Sequence, residues 1–300
     1  MRVVLVGHHF ETYIRDMFPD LDAMDSFRTI TYLPDLVILS GGGDIHPSRY
    51  GQRITYSSGI NRERDRLEYE ALNFFHRIPE NIKFLGICRG HQLLNVFFGG
   101  SLYQDMTAAG KKHNGPIHEL SWLIKSPLSE LFPSVNSIHH QGVNRLAGNG
   151  VVLATEPKSG IPEAIQFGNE GLGLQFHPEF MAESYYKKLA TLMEEWAVGG
   201  ESITGFSGGP SRGRRTRQSV PTVSMPTVMS STGRQYRIIT DRDGNIHYEE
   251  IVVNRDEEVT PASFTSSFTT TSTTTPEGFW REVGTPDSLP DLPEGEENVT

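Results

Sequence analysis

The stretch FLGICRGHQLLNVFFGGS, residues 84–101, predicts a strand that turns directly into a helix. The turn holds Cys88, the single cysteine among 300 residues, between Gly86 and Gly90. Glycines on both sides of a nucleophile permit the sharp strand-to-helix turn that exposes a reactive side chain above a sheet. A helix N-terminus also favours a thiolate there. The pattern therefore predicts a nucleophilic cysteine, with a buried, inert cysteine as the alternative.

Outward from this turn, the first 198 residues alternate short apolar strands with helical patterns. The principal predicted elements are strands over 3–6, 35–39, 82–87, 151–155, 164–167 and 173–176, and helices over 64–75, 92–98 and 182–196. Such alternation is typical of an α/β fold, in which helices cover both faces of a mostly parallel central sheet. We therefore predict this fold class for residues 1–198.

Composition limits the class of protein. One cysteine excludes a disulfide framework within the chain, and the N-terminal apolar run is too short for a signal peptide. No window approaches 18 consecutive apolar residues, as a membrane span requires. The net charge of -10 argues against broad attraction to nucleic acid phosphates. We expect a cytoplasmic protein that binds neither membranes nor nucleic acids.

The composition changes after Trp196. Residues 199–300 are rich in Gly, Pro, Ser and Thr, and such a segment buries too little apolar surface to offset its ordering entropy. We predict a largely disordered tail of low complexity. Within it, QYRIITDRDGNIHYEEIVV, residues 235–253, predicts a β-hairpin around an Asp-Gly-Asn turn. This hairpin either docks on a surface or a partner or forms only transiently.

A cysteine nucleophile needs a base, and the base needs an orienting group. In GLGLQFHPEF, residues 171–180, a strand predicted to end at Phe176 brings His177 to the carboxyl edge of the sheet. Glu179, two residues later, is spaced to bond the distal nitrogen of that imidazole. We predict Cys88, His177 and Glu179 as a catalytic triad; the alternative for His177 is an ordinary surface turn.

Four motifs together resemble the class I glutamine amidotransferase superfamily. They are LSGGGDIHPSRYG (39–51), GICRGHQLLNVFFGGSLYQD (86–105), NSIHHQGVNRL (136–146) and GLGLQFHPEF (171–180). They are most similar to its stand-alone branch of gamma-glutamyl hydrolases, peptidase family C26, whose named member is gamma-glutamyl-gamma-aminobutyrate hydrolase. The resemblance covers about residues 1–198 and implies a flavodoxin-like arrangement of the sheet. It says nothing about the tail.

The resemblance implies a role for each matching position. It makes Cys88 the nucleophile, His177 the general base and then acid, and Glu179 the orienting carboxylate. The implied oxyanion hole uses two backbone N–H groups, and the implied substrate contacts use two side chains; these residues are Gly42 and Arg89, and Gln92 and His139. Ordinary turn or loop roles are the alternatives for Gly42 and His139. No metal and no organic cofactor are required.

Several positions depart from the family pattern or have two interpretations. His140 stands where a glycine is expected, and either narrows the pocket or adds a polar contact. Arg64, Asp65 and Glu68 resemble a stretch of the same branch, and form either a binding wall or a solvated charge run. The interval between the first two strands is short. A metal site built from His8, His9, His113 and His118 lacks any fixed ligand spacing.

The implied reaction is acyl transfer through a glutamyl thioester on Cys88. The first hypothesis is a hydrolase of gamma-glutamyl amides or peptides. It is supported by the resemblance of the sequence around Asp44, Pro47 and Tyr50 to the hydrolase branch. The second is a glutaminase subunit that passes ammonia to a separate synthetase, with the tail or hairpin as the docking device. The third is a scaffold whose catalytic half is vestigial, against which the intact triad counts.

Overall fold

The computed structural model describes residues 1–26, 30–111 and 116–199, and the backbone of three strands within 223–251. The α-helices are α1 Glu11–Met17, α2 Arg62–His76, α3 Arg89–Phe97, α4 Pro127–Leu131 and α5 Glu183–Gly199. The strands of the first 199 residues are β1 Val3–Val6, β2 Asp22–Met24, β3 Leu36–Leu39, β4 Lys83–Ile87, β5 Ser101–Tyr103, β6 Ile117–Glu119, β7 Ser121–Trp122, β8 Ser134–Asn136, β9 Gly142–Arg145, β10 Gly150–Thr155, β11 Pro162–Phe167 and β12 Gly171–Leu174. Among the described helices, none is both long enough and apolar enough to cross a membrane.

An eight-stranded sheet lies at the centre, in the order β2-β1-β3-β4-β12-β11-β10-β7. Strands β2, β1, β3, β4 and β12 pair in parallel, and β11, β10 and β7 extend the sheet in antiparallel fashion. The prediction of a mostly parallel α/β fold is confirmed. The parallel strands β4 and β12 are neighbours, so the segments that follow them leave the same carboxyl edge side by side.

The sheet separates two apolar layers. Successive residues of a strand point to opposite faces, so Val4 packs in one layer and Leu5 in the other. Helices α2 and α3 cover the first face with residues such as Leu72, while α1, α4 and α5 cover the second with residues such as Met193. Each large apolar side chain buried in this way contributes about 1.5–3 kcal/mol. Helices lie on both faces, as predicted.

The short interval between the first two predicted strands holds two elements. Helix α1 spans seven residues, and β2 then adds a parallel edge strand beside β1, with Val4 opposite Asp22. The sequence pattern missed β2 because its three residues, Asp22–Met24, are too few to show a period. Strand β12 ends at Leu174, two residues earlier than predicted.

Three further strands form a separate antiparallel sheet: β13 Val223–Met229, β14 Gln235–Thr240 and β15 Ile246–Ile251. Within the segment predicted as a hairpin, β14 pairs with β15 from Gln235 opposite Ile251 to Thr240 opposite Ile246. The predicted turn residues lie outside the described ranges. The chain divides into two compact units, Met1–Val252 and Val253–Thr300, and the second also lies outside those ranges. The boundary after residue 198 stays a prediction.

Candidate active site

Cys88 occupies the turn between β4 and α3. Its backbone has φ 51 and ψ -103, a conformation that a residue with a side chain adopts only under strain. Its N–H donates a 2.7 Å hydrogen bond to the carbonyl oxygen of Leu174, at the end of the neighbouring strand β12. The turn that carries Cys88 is thereby tied to the segment that leads to His177.

Close packing explains the glycines on either side of the cysteine. A Cβ at Gly90 would overlap the carbonyl oxygen of Leu39 in β3, and a Cβ at Gly86 would overlap the carbonyl oxygen of Gly90. The turn therefore sits flush against the adjacent strand and against its own helix. Larger residues at either position would displace backbone atoms, which cannot rotate away as a flexible side chain can.

His177 follows β12 and lies between Cys88 and Glu179. Its Nδ1 is 2.8 Å from Glu179 Oε1, and its ring also hydrogen-bonds the Cys88 side chain. All three side chains are buried. Asn136, which sequence reasoning did not single out, holds the His177 backbone: its Oδ1 accepts from His177 N and its Nδ2 donates to His177 O, at 2.8 and 2.7 Å. The structure thus brings the three predicted triad residues together.

The charge state of His177 follows from these contacts. Burial lowers the pKa of His177, but its hydrogen bonds to and electrostatic interactions with Cys88 and Glu179 outweigh burial and raise this pKa to about 10. The imidazole is therefore protonated at neutral pH and stands beside a sulfur atom. Such a group can stabilise a thiolate and donate a proton to a departing group.

Two aromatic rings enclose the imidazole. Phe180 stacks on it with ring centroids 5.0 Å apart, and Phe10 meets it edge-on at 5.8 Å. Phe10 lies just before α1 with φ 56, a left-handed conformation that is unusual for phenylalanine. No sequence pattern indicates this contact, because residues 10 and 177 belong to remote segments that meet only at the sheet edge.

The glycine loop after β3 packs against the same histidine. A Cβ at Gly41 would lie 2.6 Å from His177 Cε1, and a Cβ at Gly42 would overlap the Arg64 guanidinium. Gly42 also has φ 146, which favours glycine. Gly41 and Gly42 therefore allow the loop backbone to pack closely against the His177 and Arg64 side chains.

A buried ion network lies next to this loop. Glu68 bridges the guanidinium groups of Arg64 and Arg89, and Arg89 also pairs with Asp65. All four side chains are almost completely inaccessible. Arg64 donates a 2.9 Å hydrogen bond to the carbonyl oxygen of Ser40. The interpretation of a solvated charge run is wrong, because these side chains are buried. The network joins Arg89, the residue after Cys88, to the segment that carries the glycine loop.

Gln92 and His139 meet at one backbone carbonyl. Gln92 Nε2 donates to Gln141 O at 3.2 Å and to Gln175 Oε1 at 3.2 Å, and His139 Nδ1 lies 2.9 Å from Gln141 O. Both side chains are buried, and His139 Nε2 lies 3.7 Å from Glu163. The structure places these two predicted substrate-contacting side chains at the same carbonyl oxygen, that of Gln141. Gln92 lies one helical turn after Cys88.

His140, where a glycine was expected, makes a polar contact. Its Nε2 lies 2.9 Å from Asp44 Oδ2, and its Nδ1 lies 3.5 Å from Asp105 Oδ2. Asp44 Oδ2 also accepts a hydrogen bond from the backbone N–H of Ser58. His140 therefore links the glycine-loop segment to the segment after β5.

Across the described ranges, no three His, Cys, Asp or Glu side chains form a group able to hold a metal ion. His8 instead pairs with Glu11 at 2.6 Å and with Asp25 at 3.2 Å. These hydrogen bonds raise the pKa of His8 above its ordinary value. His8 thus interacts with two neighbouring carboxylates at the protein surface.

Glu163 lies buried on β11, and burial together with the charge of Glu156 raises its pKa well above the usual range. A raised carboxyl pKa favours folding below the unfolded value near 4.5, and this advantage is lost as the pH rises through the folded value. We expect Glu163→Gln to raise the free energy of unfolding at pH 8, and to raise it by much less at pH 4.5. Urea unfolding at both pH values measures this, with the exposed Glu119→Gln as control. An equal effect at both pH values would contradict the assignment.

Comparison with known proteins identifies the family and related folds. Residues 16–179 match the family model described as Peptidase C26. A protein of Schizosaccharomyces pombe, provisionally assigned as a glutamine amidotransferase, is 36% identical over 160 residues, which cover 48% of this chain and 62% of that protein. The gamma-glutamyl-gamma-aminobutyrate hydrolase of Escherichia coli O157:H7 is 28% identical over 192 residues, or 57% of this chain and 69% of the relative. A Thermoplasma acidophilum structure, provisionally assigned as one of the subunits of GMP synthase, shares the fold with a TM-score of 0.51 at 15% identity, covering 67% of this chain and 96% of the other.

Proposed function

The chain belongs to the peptidase C26 family of glutamine amidotransferase-like hydrolases, and from this premise we propose that it hydrolyses gamma-glutamyl amide bonds. One observation carries the proposal: at a strained strand-to-helix turn, His177 contacts both the Cys88 side chain and Glu179. The similarity to a gamma-glutamyl-gamma-aminobutyrate hydrolase supports the gamma-glutamyl group as the acyl part of the substrate.

In the first half of the reaction, the Cys88 thiolate attacks the side-chain carbonyl carbon of the glutamyl amide. A carbon–sulfur bond forms, the carbon–nitrogen bond breaks, and His177 gives its proton to the departing amine. Glu179 holds the imidazole in position throughout. The product of this half is a glutamyl thioester on the enzyme.

The tetrahedral intermediate needs donors for its oxyanion. We assign this role to the backbone N–H groups of Arg89 and Gly42. Loss of one such donor in comparable acyl-transfer sites costs about 3–4 kcal/mol. The ion network supports the assignment, because it contacts Arg89 through its side chain and passes against Gly42 through Arg64.

In the second half, water attacks the thioester and gives a proton to His177; the carbon–sulfur bond breaks, glutamate is released, and the Cys88 thiolate and the protonated His177 are restored. We assign Gln92 and His139 to the wall of the glutamyl pocket. Both are buried and bond the carbonyl oxygen of Gln141, which supports a role in shaping the pocket. The proposed substrate is therefore a small gamma-glutamyl compound, and the reaction uses no metal or organic cofactor.

A glutamate-release assay with the full chain tests this function. We expect glutamate from gamma-glutamyl amides without any added protein. Activity on glutamine that appears only with an added synthetase, docked through the tail or hairpin, would replace the proposal with the ammonia-donor alternative. No release in either case, together with a Cys88 that resists alkylation, would leave the scaffold alternative.

A further inference from the structure

Three aromatic rings form a cluster beside the proposed proton donor. Phe10, Tyr13 and Phe180 meet pairwise edge to face, with ring centroids 6.4, 5.4 and 4.9 Å apart. We call this cluster the aromatic rim. It begins at His177, because Phe180 stacks on that imidazole and Phe10 meets its edge.

The aromatic rim is open to solvent at its outer end. Tyr13 is 48% exposed and Phe180 38% exposed, which is high for large apolar side chains. Although the two rings contact one another, part of their surface stays uncovered next to the buried His177. Rings so arranged present faces and edges that another aromatic ring can join in offset or edge-to-face geometry.

Two charged side chains of α1, Glu11 and Arg15, lie close to Tyr13 in sequence and are already paired. Arg15 donates to Glu11 Oε1 at 2.8 Å and to Leu21 O at 2.8 Å, and Glu11 also accepts the contact from His8. Burial, followed by the charges of Arg64 and Arg89, lowers the pKa of His9, so this neighbour of Phe10 is neutral at pH 7. The charges of Glu11 and Arg15 are thus committed to partners within the protein, and neither is free to pair with the carboxylate or ammonium group of a charged amine.

We propose that the aromatic rim is the subsite for the leaving amine, and that this amine carries a neutral aromatic group. The inference rests on the proposed function. In that reaction the departing nitrogen receives its proton from His177, so the substituent on that nitrogen extends past His177. The rings that contact His177 are then the first surface it meets, while the glutamyl part lies toward Gln141 and Gln92.

Four substrates of the full-length protein test the subsite: gamma-glutamyl phenethylamide, gamma-glutamyl-gamma-aminobutyrate, gamma-glutamyl putrescine and glutamine. The three substituted compounds are alkyl amides, so the comparison reports chiefly the substituent: aromatic, anionic or cationic. We expect kcat/KM for the phenethylamide to exceed that for both charged amides by about tenfold or more, the range seen when a hydrophobic pocket discriminates between side groups.

Tyr13→Ala probes the rim without removing a ring that touches His177. We expect the ratio of kcat/KM for the phenethylamide to kcat/KM for glutamine to fall about tenfold in this variant, and to recover in Tyr13→Phe. Leu123→Ala removes an exposed apolar side chain from a segment beside β7, outside the rim, and serves as the control whose ratio stays unchanged.

The outcomes separate this inference from the proposed function. Hydrolysis of glutamine with a preference for either charged amide, or an unchanged ratio in Tyr13→Ala, overturns the aromatic subsite and leaves the hydrolase intact. Hydrolysis of none of the four compounds overturns both. The expected preference, lost in Tyr13→Ala and restored in Tyr13→Phe, supports both.

Discussion

Replacement of Cys88 by alanine is expected to lower kcat for gamma-glutamyl amides by at least about 10⁴-fold. The reason is chemical: without the sulfur no thioester forms, and the oxyanion donors and binding contacts alone leave only residual catalysis. The thermal midpoint should change little, because the substitution removes only the sulfur atom and keeps the Cβ, so the backbone strain of the turn stays the same. Glutamate release and a thermal melt measure the two effects.

Cys88→Ser is the matched control for the shape of the site. It replaces the thiol with a hydroxyl of similar shape, so folding and substrate binding should be preserved. Activity should stay low, because the hydroxyl is a weaker nucleophile. Alanine protein that unfolds would mean that Cys88 is chiefly structural. Alanine protein that retains activity above a hundredth of the original would mean that another group performs the chemistry.

The second large effect is expected for Glu68→Gln, which removes the bridging charge of the ion network. Arg64 and Arg89 would then face each other inside the protein with only Asp65 to balance them. Removal of one partner from a buried ion pair typically destabilises a protein by about 3–5 kcal/mol. We expect a loss of this size in urea unfolding. Activity should fall as well, because Arg89 and Gly42 both contact the network.

Helix α2 supplies its own control. Glu63, on the same helix, pairs with Arg66, and both side chains are exposed to solvent. An exposed pair of this kind contributes about 0–1 kcal/mol, so Glu63→Gln should be nearly silent. Equal effects of the two substitutions would show that the buried network carries no special weight. A Glu68→Gln variant with unchanged stability and activity would contradict the account of how the glycine loop and the Cys88 turn are held together.

Sequence reasoning could predict much of the site because its residues sit at strand ends. The strand-turn-helix around Cys88 has glycines whose need follows from local geometry, and a parallel sheet brings the ends of β4 and β12 to one edge. Neighbouring strand ends therefore make contact between Cys88 and His177 foreseeable, although the two residues are 89 positions apart in the sequence.

Other parts depend on contacts that no local pattern records. Asn136 clamps the His177 backbone across 41 positions, and Phe10 reaches the imidazole from the other end of the domain. The charges at Arg64 and Glu68 have the spacing of an exposed helix face, and only the Arg89 partner explains their burial. Such long-range pairing follows from the assembled fold, since spacing within one helix carries no information about the segment that packs on it.

The claim at the centre of this account is that Cys88 carries the glutamyl group. The most direct measurement is to quench turnover of a gamma-glutamyl amide with acid and determine the mass of the peptide that contains Cys88. We predict a glutamyl adduct on this peptide in the wild-type chain and none in Cys88→Ala. Glutamate production without an adduct at Cys88, or with an adduct on a different residue, would contradict the mechanism.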